Sequence, residues 1–409
     1  MTRTPPSPSR AASLAAAAAL AVAAGACGGG GRAPEDLPYS PHPVVIVAID
    51  GLAADRVGAF GAKDGRTPAL DALARESVAF AWAFAQAPDG APSLASLLTG
   101  FYPSTHRVRR AGDTLPGEAR TLAEAMAGAG YETAAFAAGE GVTADLGFAQ
   151  GFASFEARAG AGLDGIGSRA AAWMKERAAK NFLLLVQAGV PAGSGADRGG
   201  ALAATDAALG DFVEAFRALG LDDRATLVVL GTCGTVPGGE ESDGGPSLRA
   251  AETRVPLLVR FPGGARARVV EEYVEILDVG PTLIEAAGIV PGGHAHGRSL
   301  LPLIRGEGRP PYIAFGESPR RGGQRFVALA GYQLVHTDEG DRNEIFRLFE
   351  DPRAATDVAA SETRRTAVLL DHLRAWERLV SSASLDPEKE AEPLDDATLE
   401  KLKSLGYVQ

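Results

Sequence analysis

Cysteine is almost missing: the 409 residues contain two, Cys27 and Cys233. So few thiols exclude a disulfide-stapled scaffold and a cysteine-rich zinc module. Histidine is scarce as well, at six residues, which leaves little imidazole for a metal cluster. There is no basic excess either. Lys and Arg number 40 against 51 Asp and Glu, a net charge of −11, so the chain as a whole carries no footprint for nucleic acid or anionic lipid. The apolar stretch at residues 11–27 is too short and too alanine-rich for a transmembrane helix. What remains is ordinary for a globular chain, with 46% hydrophobic and 22% charged residues. The length allows one large domain or two.

The N-terminus reads as a separate segment. Arg3 and Arg10 precede "AASLAAAAALAVAAGAC", and no acid occurs before Glu35. Small residues lead into Cys27, and a Gly- and Pro-rich stretch follows. The pattern resembles a bacterial lipoprotein signal, residues 1–27, with Cys27 as the lipidated residue and residues 28–42 as a flexible tether. It departs at Ala24, where such signals prefer Leu. Ordinary signal cleavage after Ala24-Gly25-Ala26 and an organellar transit peptide are the alternatives. The expected location is the bacterial cell envelope, lipid-anchored to the membrane through Cys27, or else soluble in the periplasm or outside the cell. A lipidated Cys27 would leave Cys233 with no intramolecular disulfide.

From residue 43 the chain alternates strand and helix patterns. "PVVIVAID" (43–50) is the near-continuous β-branched run of a strand buried on both faces. "TPALDALARESVAF" reads as an amphipathic helix, "TLAEAMAGAGYETAAFAA" as helix, turn and strand, and "NFLLLVQAG" as a second buried strand. "ATDAALGDFVEAFRALGL" reads as a helix, "ATLVVLGTCG" and "RVPLLVRFPG" as strands, and "DVGPTLIEAAGI" as a helix. This succession predicts an α/β fold: a doubly wound, mostly parallel sheet flanked by helices, over 43–310. Short strands separated by turn residues then predict a small C-terminal antiparallel-sheet subdomain over 311–385, closed by a helix near 361–382. A charged tail with a short helix occupies 386–409.

"VVIVAIDGLAADRVGAFG", "RTPALDALARESVAF" and "APSLASLLTGFYPSTH", followed in order by "ATDAALGDFVEAFRALG", "RVPLLVRFPGG", "EILDVGPTLIEAAGI" and "GRSLLPLIRGE", resemble the sulfatase family of the alkaline-phosphatase superfamily across residues 43–385. Members of that family hydrolyse sulfate esters, less often phosphate or phosphonate esters. They use a divalent cation, usually Ca²⁺, and a nucleophile matured from Cys or Ser to formylglycine. Such a cation needs clustered oxygen ligands to neutralise an anionic ester.

Set beside the family's motifs, most of the site is replaced. Asp50 matches the first metal ligand, with Gly51 where a second acid often stands. The C-x-P-S-R motif is Gly90-Ala91-Pro92-Ser93-Leu94. Glycine has no β-carbon, so Gly90 can be neither an alcohol nor an aldehyde. Leu94 replaces the arginine that holds the aldehyde hydrate, and Ser93 reads as a helix residue. The second metal cluster, Asp-His-Gly in the family, is Thr232-Cys233-Gly234. A hydroxyl cannot match a carboxylate's charge, and a thiol suits Ca²⁺ poorly. Gln187 stands where a strand-ending His is expected, and Gly244 where a His or Lys precedes "RVP". Glu240, Glu241 and Asp243 form an acidic loop, while His294 and His296 have a spacing that lacks a clear third ligand. Of the family's histidines only His106 remains.

The expectation is therefore a non-catalytic sulfatase-like envelope protein, a pseudoenzyme whose emptied pocket serves binding or assembly. Its ligand would be an anionic saccharide or a protein partner, with no nucleic acid and no cofactor, or Ca²⁺ if a metal site survives. The alternative is a divergent sulfate- or phosphate-ester hydrolase with a rebuilt site using Asp50, Ser93 and His106, or Cys233. A third reading gives the amphipathic tail a role in oligomerisation.

Overall fold

The computed structural model describes residues 39–191, 197–234, 246–264, 268–290, 295–308, 312–383, 385 and 394–404. In chain order the first half runs β1 (Val44–Asp50), α1 (Pro68–Ala74), β2 (Val78–Phe84), α2 (Gly90–Thr99), α3 (Pro103–His106), α4 (Leu122–Gly128), β3 (Glu132–Ala137), β4 (Ser154–Ala157), α5 (Leu163–Arg177) and β5 (Phe182–Gly189). It continues with α6 (Asp197–Ala218), β6 (Thr226–Gly231), α7 (Ala250–Thr253), β7 (Arg254–Val255), β8 (Leu257–Arg260), β9 (Arg268–Glu275), α8 (Val279–Ala286) and α9 (Leu301–Arg305). The C-terminal part holds β10 (Ala314–Ser318), β11 (Gln324–Leu329), β12 (Tyr332–Thr337), β13 (Arg342–Arg347), α10 (Thr363–Ser382) and α11 (Asp396–Ser404).

Nine strands form the large sheet. Its path is β4-β3-β5-β1-β6-β8-β2-β7, and β9 also pairs with β2. Strand β1 lies between β5 and β6 and runs parallel to both. Every residue of β1 is buried, and the alternation explains why. Val44, Ile46 and Ala48 enter one apolar cluster while Val45, Val47 and Ile49 enter the other. A strand whose two faces both meet helices must be apolar throughout. The antiparallel exceptions are β8, between β6 and β2, and β7 against β2.

Two sequence expectations need correction. "TPALDALARESVAF" is not one helix: α1 stops at Ala74 and Val78 already begins β2. The β-branched and aromatic run from Val78 prefers a sheet edge-to-edge partner, which β9 supplies. The single strand expected over "RVPLLVRFPG" is two, interrupted at Pro256, which has no N–H for a ladder. Helix α1 begins with Pro68, and the Asp206 carboxylate of α6 accepts the next two N–H groups, from Ala69 at 2.8 Å and Leu70 at 2.9 Å. A distant acid thus caps a seven-residue helix.

The second sheet, β10-β11-β12-β13, is antiparallel throughout. It meets the large sheet through a buried carboxylate. Glu275, 1% exposed at the end of β9, accepts the Tyr102 hydroxyl at 2.9 and 3.0 Å and the Phe315 N–H of β10 at 2.9 Å. Three residues on, Asp278 accepts the N–H groups of Glu275 at 3.0 Å and Arg298 at 2.8 Å. Burial, and then the neighbouring Asp278, pushes Glu275 up to about 8; burial also raises Asp278. The tail helix α11 folds back on its own chain, burying Leu402 against Ala375 and Leu379 of α10. That side of α11 is covered within the chain.

Candidate functional site

Because β1, β5 and β6 are parallel, their carboxyl ends open on one edge of the sheet, where open α/β sheets place ligands. Asp50 ends β1 there, and Gln187 lies on β5 two residues before its end. Thr232 follows β6 directly, its N–H donating to Ile49 O at 3.1 Å. Helix α2 begins against this edge with Gly90.

Asp50 is 4% exposed, and Gln187 and Thr232 are fully buried. The Thr232 hydroxyl donates to Asp50 Oδ1, and Gln187 Nε2 donates to Asp50 Oδ2 at 2.7 Å. Both carboxylate oxygens thus accept a bond from a neutral side chain. The amide cannot turn over. Gln187 Oε1 accepts the backbone N–H groups of Ala138 at 3.1 Å and Gly139 at 2.7 Å, so a flipped NH₂ would face two donors. Burial pushes Asp50 up to about 6, and the bonds from Thr232 and Gln187 offset part of that rise.

Gly90 fits into this cluster without room to spare. A Cβ built on it would lie 2.4 Å from Asp50 Cγ and Oδ2 and 2.6 Å from Oδ1. The carboxylate therefore occupies the volume that a nucleophile's side chain would enter. The neighbouring Asp89 is engaged with Arg320, whose guanidinium donates to both carboxylate oxygens at 3.0 and 3.2 Å. The sequence suggested an emptied pocket; the structure has a closed, hydrogen-bonded carboxylate instead.

The remaining sequence candidates do not converge on Asp50. Ser93 is buried within α2 and donates to the Ala87 carbonyl at 3.0 Å. His106, also fully buried, contacts Ser96 rather than Ser93, at 2.9 Å from Nε2. Its Nδ1 accepts the Val108 N–H at 3.2 Å, which places the ring proton on Nε2. That nitrogen donates to Ser96 and cannot take a proton from it, so the pair is not a nucleophile and base. Burial holds His106 down at about 3. Cys233 is a buried thiol, 1% exposed. His296 packs between Phe101 and Tyr102, with Nδ1 accepting the Tyr102 N–H at 3.4 Å. Cys27, Glu240, Glu241, Asp243, Gly244 and His294 lie outside the described residues. Sequence reasoning missed Ser96 and the Glu275–Asp278 pair. The one signal for the latter was an acid at each end of the short "EILD" turn.

Ca²⁺ takes six to eight oxygen ligands, several of them charged. Among the described residues no three His, Cys, Asp or Glu side chains converge. Asp50 is a lone carboxylate with both oxygens engaged, the Gln187 oxygen is held by two backbone donors, and Thr232 is neutral. This donor set does not fit the cation. A groove of about 620 Å³ lined by Phe136, Phe155 and Trp173 lies at the β3–β4 edge of the sheet beside α5, with β5 between it and β1.

A doubly wound sheet with an aspartate closing its central strand, joined to a small antiparallel sheet, defines an alkaline-phosphatase-superfamily fold. The chain belongs to the sulfatase family, whose profile matches residues 42–164 and 167–289. A second profile, the C-terminal region of N-sulphoglucosamine sulphohydrolase, matches residues 248–376. Arylsulfatase K of Bos taurus is 27% identical over 186 residues, 42% of this chain and 34% of that protein. An ulvan-active sulfatase of Formosa agariphila is 38% identical over 100 residues, 24% of this chain and 19% of that protein. The matched stretch thus spans about a third or less of these relatives. The crystal structure of a phosphonate monoester hydrolase from Agrobacterium radiobacter superposes with a TM-score of 0.68 at 20% identity, covering 84% of this chain and 96% of that one. No helix among the described residues is long and apolar enough to cross a membrane.

Proposed function

We propose that this sulfatase-family chain is a non-catalytic member, a binding or assembly module of the bacterial envelope tethered by lipid at Cys27. One observation carries the reading: Asp50, the position matching a metal ligand, has its carboxylate closed off by Thr232 and Gln187 and packed into the space of the missing side chain at Gly90. Three changes at one sheet edge act together there. The neutral donors of Thr232 and Gln187 take the place of a cation beside a buried carboxylate, and glycine makes room for the result. An intact core around a closed site is what a protein kept for its surface, rather than for turnover, would retain.

The test is turnover. The purified protein should leave aryl sulfate, phosphate and phosphonate esters at the uncatalysed rate, with or without added Ca²⁺, Mg²⁺ or Zn²⁺. Hydrolysis that disappears in Asp50→Asn would establish a rebuilt hydrolase site and end this reading.

A further inference from the structure

Several arginines in the fold are held by acids: Arg320 by Asp89, Arg260 by Asp222, Arg325 by Asp338 and Glu377. Three others are clustered on one turn. Arg107, Arg109 and Arg110 follow α3 within four residues, all are exposed, and none forms an ion pair among the described residues. They stand on the outside of a chain whose net charge is −11.

The turn that carries them is pinned from below. Val108, between them, is fully buried and its N–H donates to His106 Nδ1 at 3.2 Å. Asp113 Oδ2 accepts the N–H groups of Arg109 at 2.8 Å and Arg110 at 3.0 Å. The nearest acid in sequence thus serves the backbone of the turn and not its guanidiniums. Arg107 itself takes a left-handed φ of 68°. The turn also abuts the loop after β3, since a Cβ on Gly141 would lie 3.0 Å from the Gly112 nitrogen. That loop contributes two acids, Glu140 and Asp145, and neither is ion-paired to the three arginines; the turn itself sets three arginines against Asp113.

We propose that this turn is a binding site for an acidic polysaccharide, its sulfate or carboxylate groups gripped by the three guanidinium forks. The observations favour that class over the other polyanions. Exposed neighbours of the arginines are Ala111, Gly112 and Thr114, which give a protein partner no apolar anchor to bury. A flat anionic membrane would meet the acidic body as well as the turn, and three arginines supply too little attraction for stable adsorption. A flexible chain of spaced anions can reach the turn alone. The site is separate from Asp50 and does not depend on whether that carboxylate is catalytically silent.

Binding of the full-length protein to immobilised dextran sulfate, polygalacturonate and neutral dextran, at low and at physiological salt, tests this. The wild type should bind at least one of the two acidic polymers, steeply salt-dependent, and leave neutral dextran untouched. The variant Arg107→Gln/Arg109→Gln/Arg110→Gln should bind about tenfold or more weakly, with a shallower salt dependence and an unchanged thermal midpoint. Which acidic polymer binds identifies the anion. Absence of wild-type binding to both at low salt, equal binding by the triple variant, or capture by phosphatidylglycerol vesicles without capture by either polymer would overturn the proposal.

Discussion

Replacing Gly90 by Ala should destabilise the protein by about 3 kcal/mol, although alanine is the better helix former. The added methyl has no free volume, lying 2.4 Å from the Asp50 carboxyl carbon before anything moves. To admit it, Asp50 must rotate away from Thr232 and Gln187, which are fully buried and have no water to turn to. Each donor left unpaired in such a place costs about 1–3 kcal/mol. The cause can be isolated by a cycle. In an Asp50→Ala background the methyl at position 90 meets no carboxylate, so Gly90→Ala should cost about 2 kcal/mol less there. Urea unfolding of the four proteins measures the coupling. Equal costs in both backgrounds would show that Asp50 does not exclude a side chain at 90. The same geometry means that Gly90→Ser or Gly90→Cys restores no activity, because the introduced group displaces the carboxylate instead of joining it.

The second large effect is on the pH dependence of stability. Glu275 is raised to about 8 in the fold from an ordinary 4.5, so the folded state binds a proton that the unfolded state releases. Its contribution is complete below pH 4.5 and is lost as pH rises toward 8. Between pH 6.5 and 8 the fully buried histidine His106 and the nearly buried His296, both held near 3, are neutral in the folded chain. Asp50, at about 6, is largely ionised there. Glu275 therefore adds about 2 kcal/mol on going from pH 8 to 6.5, and the unfolded chain, which begins to protonate its histidines near 6.5, offsets much of it. Below pH 6.5 the buried histidines work the other way, since the unfolded chain protonates them first. Their loss offsets further gains from Glu275 and Asp50, and the curve should flatten. Glu275→Gln keeps the acceptor for Tyr102 and Phe315 and removes the titration, so the stability difference between wild type and variant should grow by about 2 kcal/mol from pH 8 to 6.5, the histidine contributions being common to both. A difference that stays constant over that range would place the proton elsewhere.

Much of this architecture is legible in the residues. The "VVIVAID" run announces a strand buried on both faces, and its closing aspartate falls at the carboxyl edge where α/β folds put their sites. The missing β-carbon at Gly90 is equally plain. What the chain does not display is why that glycine fits. The reason is a contact between residues 50 and 90, and Asp50 is in turn fixed by position 187 on β5 and position 232 just beyond β6. Gln187 reads as a lost histidine in sequence; only the N–H groups of Ala138 and Gly139, supplied by the end of β3, make it a directed donor. The end of α1 at Ala74 is hidden in the sequence for a related reason. Helical periodicity carries on through "RESVAF", and the strand there is decided by pairing with β9, nearly two hundred residues away.

The most direct measurement is calcium. Elemental mass spectrometry of the purified protein, with thermal unfolding across a Ca²⁺ titration, asks whether Asp50 holds a cation or two hydrogen bonds. If Thr232 and Gln187 have replaced the metal, no stoichiometric calcium is present and the midpoint does not move. One equivalent of calcium, lost in Asp50→Ala together with a cation-dependent rise in the midpoint, would contradict that and make the site a metal centre.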